Sequence, residues 1–144
     1  MTYKIISANI DDTFKDISIL MKRNNIGFIP IKNDGEYIGA ITDRDICLAI
    51  ATINNINDCI KSYVSNNIIF IDINSDIDNA LKTMGSYKVK RLFVKEKDNI
   101  VGILSLSDIL NYTNNKHIIN TCKTIFYIHN NNQSKITEID EFYL

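Results

Sequence analysis

The sequence predicts a mixed α/β fold (α+β in its local order) made of two copies of one β-α-β-β-α unit, followed by a helix and a polar tail. Three observations predict it. Tyr37-Ile-Gly-Ala-Ile-Thr-Asp-Arg-Asp-Ile46 returns as Ile100-Val-Gly-Ile-Leu-Ser-Leu-Ser-Asp-Ile109, and the same offset of 63 residues sets Ile5, Ile6, Ile10, Met21 and Lys32 opposite Ile68, Ile69, Ile73, Met84 and Lys95. In the first copy Asn33-Asp34-Gly35 separates two apolar runs, a hairpin signal. In both copies a Gly-x-x-Thr/Ser-x-x-Asp pattern follows the second of those runs, where a strand gives way to a helix.

Lys4 to Ala8 is β-branched and short, which predicts a strand. Asp11 or Asp12 is expected to open a helix bearing Phe14, Ile17, Leu20 and Met21 at helical spacing and ending near Asn24-Asn25. Ile26 to Lys32 and Glu36 to Ile41 are the hairpin strands. Thr42 starts a second helix through Ile46, Ala49 and Ile50, which fades in the Asn-rich Asn54 to Asn57. Asn57 to Val64 is expected to be a helical lead-in to the second copy. Ile68 to Ile71, four consecutive apolar residues, predicts a strand buried on both faces. Ser75 or Asn74 is the expected cap of a helix carrying Ile77, Ala80, Leu81 and Met84. Strands Arg91 to Lys95 and Ile100 to Leu104 and a helix from Ser105 complete the repeat. Beyond Tyr112, the residues Ile118, Ile119, Cys122, Ile125 and Phe126 predict an amphipathic helix, followed by polar Asn130 to Lys135 and the acidic end Glu138 to Leu144. The expected division is therefore 1–56, 57–112 and 113–144.

A chain of 144 residues can bury a core, whereas a unit near 60 residues is marginal alone, so the copies are expected to pack together. A net charge of -1 provides no global field for nucleic acid or anionic lipid, so no direct nucleic-acid binding is expected. Cys47, Cys59 and Cys122 show no C-x-x-C spacing, which argues against a disulfide framework or thiolate zinc site and predicts small buried hydrophobes in a reducing compartment. Neither a leader-like start nor an apolar run approaching about 18 residues is present, so a soluble, cytoplasmic protein is expected. His117, His129 and Cys122 lack a regular two-ligand spacing, and no metal is expected there. No nucleophile has a His and an orienting acid nearby in sequence, and Gly35 and Gly39 do not make a dinucleotide loop.

The repeated motif has a physical use. Gly39 and Gly102 allow another group to approach the strand, and the helix that follows presents free N–H groups to an anion. The hydroxyl of Thr42 or Ser105 can join them, and Asp45 or Asp108, one turn on, can accept bonds from a sugar diol. That arrangement suits a ribose phosphate. The plainer alternative is a capping box in each copy, with Asp in place of the usual Glu or Gln.

With Asn24-Asn-Ile-Gly-Phe-Ile-Pro-Ile31, Gly39-Ala-Ile-Thr-Asp-Arg-Asp-Ile46, Val89-Lys-Arg-Leu-Phe-Val94 and Gly102-Ile-Leu-Ser-Leu-Ser-Asp-Ile-Leu110, the chain resembles a pair of cystathionine β-synthase (CBS) domains over roughly Ile5 to Tyr112. The resemblance implies repeats packed about a pseudo-two-fold axis, a homodimer, and adenosine-containing ligands bound in clefts between the repeats. It implies that Asp45 and Asp108 meet ribose, that Thr42 and Ser105 lie near phosphate, and that Arg44, Lys90 and Arg91 face the anion. Two of the three arginines lie in these segments, and a planar fork suits phosphate. Ala8, Ile38, Ile71 and Val101 would supply apolar walls for the base.

The chain departs from the family pattern in several places. The lead-in expected before the first strand has almost no room ahead of Ile5. Ile10 and Phe93 stand where Pro is common. Gly27-Phe28 carries no cation where the second copy has Lys90-Arg91, so the two sites are expected to be inequivalent.

The reading that results is a regulatory module, not an enzyme, with no required cofactor. It would sense AMP, ADP, ATP, S-adenosylmethionine or a cyclic dinucleotide and pass a conformational shift to an unidentified protein partner. The alternatives are a ligand-free structural dimerisation module and an enzyme whose site the sequence does not reveal.

Overall fold

The computed structural model describes residues 1–131, with side chains described to Ile125, and the expectations placed on the acidic tail lie outside the described residues. The chain is mixed α/β, with five helices and two three-stranded sheets among the described residues. The contacts of the described residues divide into two units, Lys4–Ile68 and Met1–Tyr3 with the residues from Ile69 onward.

In the first unit, β1 (Ala8–Asn9) runs parallel to β2 (Phe28–Asn33), and β2 pairs antiparallel with β3 (Glu36–Thr42). Between β1 and β2 lies α1 (Phe14–Asn24), which buries Phe14, Ile17 and Met21. It ends at Asn25, whose φ of 52° places it in the left-handed conformation of a helix C-cap. Asp34 and Gly35, at φ 49° and 86°, form the two-residue turn between β2 and β3, both left-handed as a type I′ hairpin turn requires. After β3 comes α2 (Asp43–Ala49) and then a 3₁₀ turn, Ile60–Tyr63. Ile60, fully buried, joins Ile17, Ile29, Ile31 and Ile41 in this core.

The second unit repeats the first at the same offset, residue for residue in four elements. These are α3 (Ile77–Tyr87), β5 (Arg91–Glu96), β6 (Asn99–Ser105) and α4 (Leu106–Tyr112). β4 (Phe70–Asp72) pairs parallel with β5, and β5 antiparallel with β6. The added α5 (Lys116–Asn131) packs against α3 and α4, burying Cys122 and Ile125 beside Leu81 and Met84.

Several expectations need correction. β1 covers only Ala8 and Asn9, because only these residues find ladder partners, Ile31 and Lys32. A β-branched composition fits a pleated surface but does not supply a partner. β4 starts two residues into the apolar run and is an edge strand. Phe70 is 40% exposed, so the run is not buried on both faces. Phe70 instead stacks edge-on against Phe93, with Lys95 Nζ 3.9 Å above its ring centroid. Ile77 is also exposed.

The cap of α1 is Thr13, not Asp11 or Asp12, and the cap of α3 is Asp76, not Asn74 or Ser75. Cys47 and Cys59 are exposed, and only Cys122 is buried. Cys59 instead donates its S–H to the Ile10 carbonyl at 3.3 Å.

The lead-in segments are also placed differently from the expectation. Residues 57–68 pack on the first unit: Ile60 N–H donates to Asp12 O at 3.1 Å, and Ser65 and Ala40 exchange two backbone bonds of 2.9 Å. Thr2 and Ile103 repeat that exchange at 2.9 and 3.0 Å, so three residues suffice to line β6 as Ser65 lines β3. Gly39 and Gly102 are small for this reason. A Cβ on Gly39 would overlap the Ser65 carbonyl oxygen, and one on Gly102 would lie 3.0 Å from Thr2 O.

Candidate functional site

Both repeated motifs fold into a strand end followed by a capped helix. Thr42 ends β3 in an extended conformation and caps α2, and its hydroxyl oxygen accepts from Asp45 N–H at 3.2 Å. Asp45 Oδ2 accepts in return from the Thr42 N–H at 2.8 Å and from its hydroxyl at 2.6 Å. Ser105 and Asp108 reproduce this box at 3.1, 2.8 and 2.6 Å. A third box, Thr13 with Asp16, caps α1 without a strand glycine before it. The capping role is therefore real in both motifs, and in each it engages one carboxylate oxygen, Oδ2. The other oxygen of Asp108 lies 3.5 Å from the α-amino nitrogen of Met1.

The second unit gathers its anion candidates. Lys90, Arg91, Ser105, Leu106, Ser107 and Leu110 line an open cavity of about 160 Å³. Three local features form it: Leu106 N–H donates to Lys90 O at 2.9 Å, Arg91 pairs with Ser105 across the sheet, and Ser105 Oγ lies 2.9 Å from Ser107 Oγ. Loss of water on burial pushes the Lys90 ammonium below its ordinary pKa, and the like charge of Arg91 pushes it further the same way. Burial alone would raise the Asp108 carboxyl. The hydroxyl and N–H of Ser105, with the Met1 ammonium, outweigh burial and hold it below the ordinary carboxylate value. Cations and hydroxyls thus line one small space, and the Asp108 carboxylate is bonded to one of its lining residues, Ser105.

The first unit has the same backbone and different chemistry. Asp43 N–H donates to Gly27 O at 3.1 Å, as Leu106 does to Lys90. The exposed Asp43 carboxylate folds back against Gly27, so a Cβ there would require it to turn aside, and its Oδ1 accepts from Arg44 N–H at 2.8 Å. Arg44 itself is exposed.

The four expected wall residues belong to the cores. Ala8 and Ile71 are 7% and 8% exposed. Ile38 and Val101, half-buried, occupy the bulges where the hairpin register shifts between Ile31 and Lys32 and between Val94 and Lys95. Each packs against its own unit's core. A bulge re-aims a side chain, and its recurrence at the repeat offset is a feature of the unit. Sequence reasoning named Lys90, Arg91 and Ser105, which line one cavity, and Asp108, which is bonded to Ser105 outside that lining. It missed Ser107, Leu106 and Leu110, whose spacing at the start of α4 was the available signal, and it missed Asp43.

Among the described residues no group of three or more His, Cys, Asp or Glu is placed to hold a metal ion, and no helix is long and apolar enough to cross a membrane. The model of the CBS domain family matches residues 1–52 and 60–115. The CBS domain-containing protein YhcV of Bacillus subtilis (strain 168) is 27% identical over 110 residues, spanning 76% of this chain and 79% of its own length. A conserved CBS domain protein of Thermoplasma acidophilum, TA0289, superposes with a TM-score of 0.73 at 19% identity over 88% of this chain and 73% of its own. The CBS domain pair of protein MJ0100, solved with 5′-methylthioadenosine and S-adenosyl-L-methionine, superposes with a TM-score of 0.66 at 24% identity over 76% of this chain and 92% of its own.

Proposed function

Because the chain belongs to the CBS domain family, both of its repeats matching that family's model, we propose that this regulatory module senses an adenosine-containing ligand and passes the signal to a protein partner. The observation that carries the reading is the cavity at the start of α4, where Lys90 and Arg91 face the hydroxyls of Ser105 and Ser107. Its volume of about 160 Å³ lies below the roughly 300 Å³ at the small end of ligand pockets. It therefore suits one end of a nucleotide, the phosphate. Asp108, bonded to Ser105 through Oδ2, would meet a ribose hydroxyl with Oδ1, which lies 3.5 Å from the Met1 ammonium.

The Thr42 and Asp45 pair holds the same geometry in the first repeat, with Arg44 as its cation. Ala8, Ile38, Ile71 and Val101 would supply the apolar walls for the base, Ile38 and Val101 from half-buried positions. Binding signals only if the ligand prefers one arrangement of the chain over another, and the population then shifts by that difference. Self-association as a homodimer is supported by exposed apolar residues at the ends of α2 and α4: Leu48 and Ile50 in one unit, Leu110 and Tyr112 in the other.

The test is thermal unfolding of the dialysed chain against AMP, ADP, ATP, S-adenosylmethionine and a cyclic dinucleotide, beside Arg91→Ala and Asp108→Ala. A ligand at a hundredfold excess over its dissociation constant adds about 2.7 kcal/mol to apparent stability. A shift lost in Arg91→Ala supports the sensor, and recovery of the nucleotide unchanged counts against an enzyme. A flat response across the panel supports the ligand-free scaffold instead.

A further inference from the structure

We propose that Asp43 is a charge filter: its carboxylate, folded over Gly27, keeps phosphate-bearing ligands from the Thr42 and Asp45 motif and leaves that motif to an adenosine ligand without phosphate. The phosphorylated ligand goes to the Ser105 and Asp108 motif. This inference rests on the adenosine-ligand reading above.

The two motifs share a backbone frame, so side chains alone distinguish them. The bond from Asp43 N–H to Gly27 O, 3.1 Å, matches that from Leu106 N–H to Lys90 O, 2.9 Å. Where the second repeat projects the Lys90 side chain, the first has only the Gly27 hydrogen, and the Asp43 carboxylate fills the space. A Cβ at Gly27 would overlap Asp43 Oδ2 and lie 2.9 Å from its Cγ. Where the first repeat has that carboxylate, the second has the buried Leu106. Gly27 and Asp43 are thus a matched pair, as are Lys90 and Leu106. Arg44 N–H, 2.8 Å from Asp43 Oδ1, holds the carboxylate in this orientation.

The exchange reverses the local charge. Asp43, Arg44 and Asp45 leave the first motif with one net negative charge, whereas Lys90, Arg91 and Asp108 leave the second with one net positive charge. Asp45 and Asp108 are equivalent, so the reversal comes from Asp43 and the missing cation. A carboxylate within a few ångströms of a phosphate dianion repels it enough to weaken binding by roughly tenfold or more. An uncharged or cationic nucleoside meets no such penalty.

Calorimetric titration of the full chain with AMP and with 5′-methylthioadenosine tests the filter. The wild type is expected to bind one equivalent of AMP, abolished by Arg91→Ala, and two of 5′-methylthioadenosine, of which one survives Arg91→Ala. Asp43→Asn keeps the seat over Gly27 and the acceptor for Arg44 N–H, and it is expected to strengthen AMP binding at the first motif by about tenfold. Asp43→Leu combined with Gly27→Lys, which installs the second repeat's pair, is expected to add a second AMP equivalent. Two equivalents of AMP on the wild type, or an AMP response unchanged by Asp43→Asn, overturn the filter and leave the sensor reading in place. Binding of neither nucleoside overturns both.

Discussion

Asp108 and Ser105 hold each other in a closed ring: Asp108 Oδ2 accepts the Ser105 hydroxyl at 2.6 Å and its N–H at 2.8 Å, while Ser105 Oγ accepts the Asp108 N–H at 3.1 Å. The same atoms are those proposed to meet a nucleotide, so the cap and the site have to be separated by experiment. Ser105→Ala, Thr42→Ala and Thr13→Ala each remove one box and are expected to cost about 1 kcal/mol in urea unfolding. Thr13→Ala is the control. It should leave every ligand response intact, whereas Ser105→Ala should lose the AMP response as well as the cap.

Acid should expose the same ring. Asp108 titrates below an unfolded carboxylate, whose pKa is about 3.9. Below that value the unfolded chain takes up its proton first, so the stabilisation is fully present above about pH 4 and is lost as pH falls through the lowered folded value. Asp108→Asn, which cannot ionise, should therefore cost stability at pH 7, and the cost should shrink as pH falls below the unfolded carboxylate value. A gap that stays constant as pH falls would refute the linkage. Asp16, lowered chiefly by the Thr13 hydroxyl, contributes in the same direction and remains in both proteins.

The strand glycines give an ordered pair of outcomes. A methyl at Gly39 meets a backbone carbonyl, that of Ser65, and the Val64 side chain. At Gly102 it meets Thr2 O at 3.0 Å and the Met1 side chain at 3.1 Å, a tight approach rather than an overlap. Gly39→Ala is expected to destabilise by about 1–3 kcal/mol and Gly102→Ala by less, as overpacking does. Chemical denaturation of the two variants side by side checks the order, and equal losses would mean that residues 1–3 are held as firmly as residues 64–65.

The repeat was legible because one offset of 63 residues aligns many positions, and the hairpins and the two helix-capping motifs because each is local. Turn residues, helical spacing and a cap three residues ahead of its partner are all written within ten residues of one another. The caps of α1 and α3 were harder to read. Asp11, Asp12 and Thr13, or Asn74, Ser75 and Asp76, can each cap a helix; in α1 the choice sets Phe14 in the core at 1% exposure, and in α3, whose Ile77 is exposed, it sets Ala80 there at 1%. The remaining misses are contacts between distant segments. Thr2 pairs with Ile103 and Ser65 with Ala40, and Asp43 turns back onto Gly27. A glycine in the sequence says that something comes close without saying what. At Gly39 and Gly102 it is the chain's own backbone, and at Gly27 it is a carboxylate.

Lys90 offers a reporter of ligand that does not depend on stability. Burial lowers its pKa first and the Arg91 charge lowers it further. Arg91→Ala removes the like charge, so the pKa should rise toward the ordinary lysine value without reaching it, because the loss of water remains. A bound phosphate supplies an opposite charge and should also raise it, since an anion favours the ammonium form. The lowered value means that, between it and the ordinary value, the folded chain holds fewer protons than the unfolded chain. Unfolding free energy contributed by Lys90 therefore increases with pH in that window, and AMP should flatten the increase. Side-chain NMR titration of Lys90 with and without AMP measures both shifts. An upward shift on AMP that is absent in Asp108→Ala would place ribose and phosphate in one site, and a pKa indifferent to AMP would remove the phosphate from this cavity.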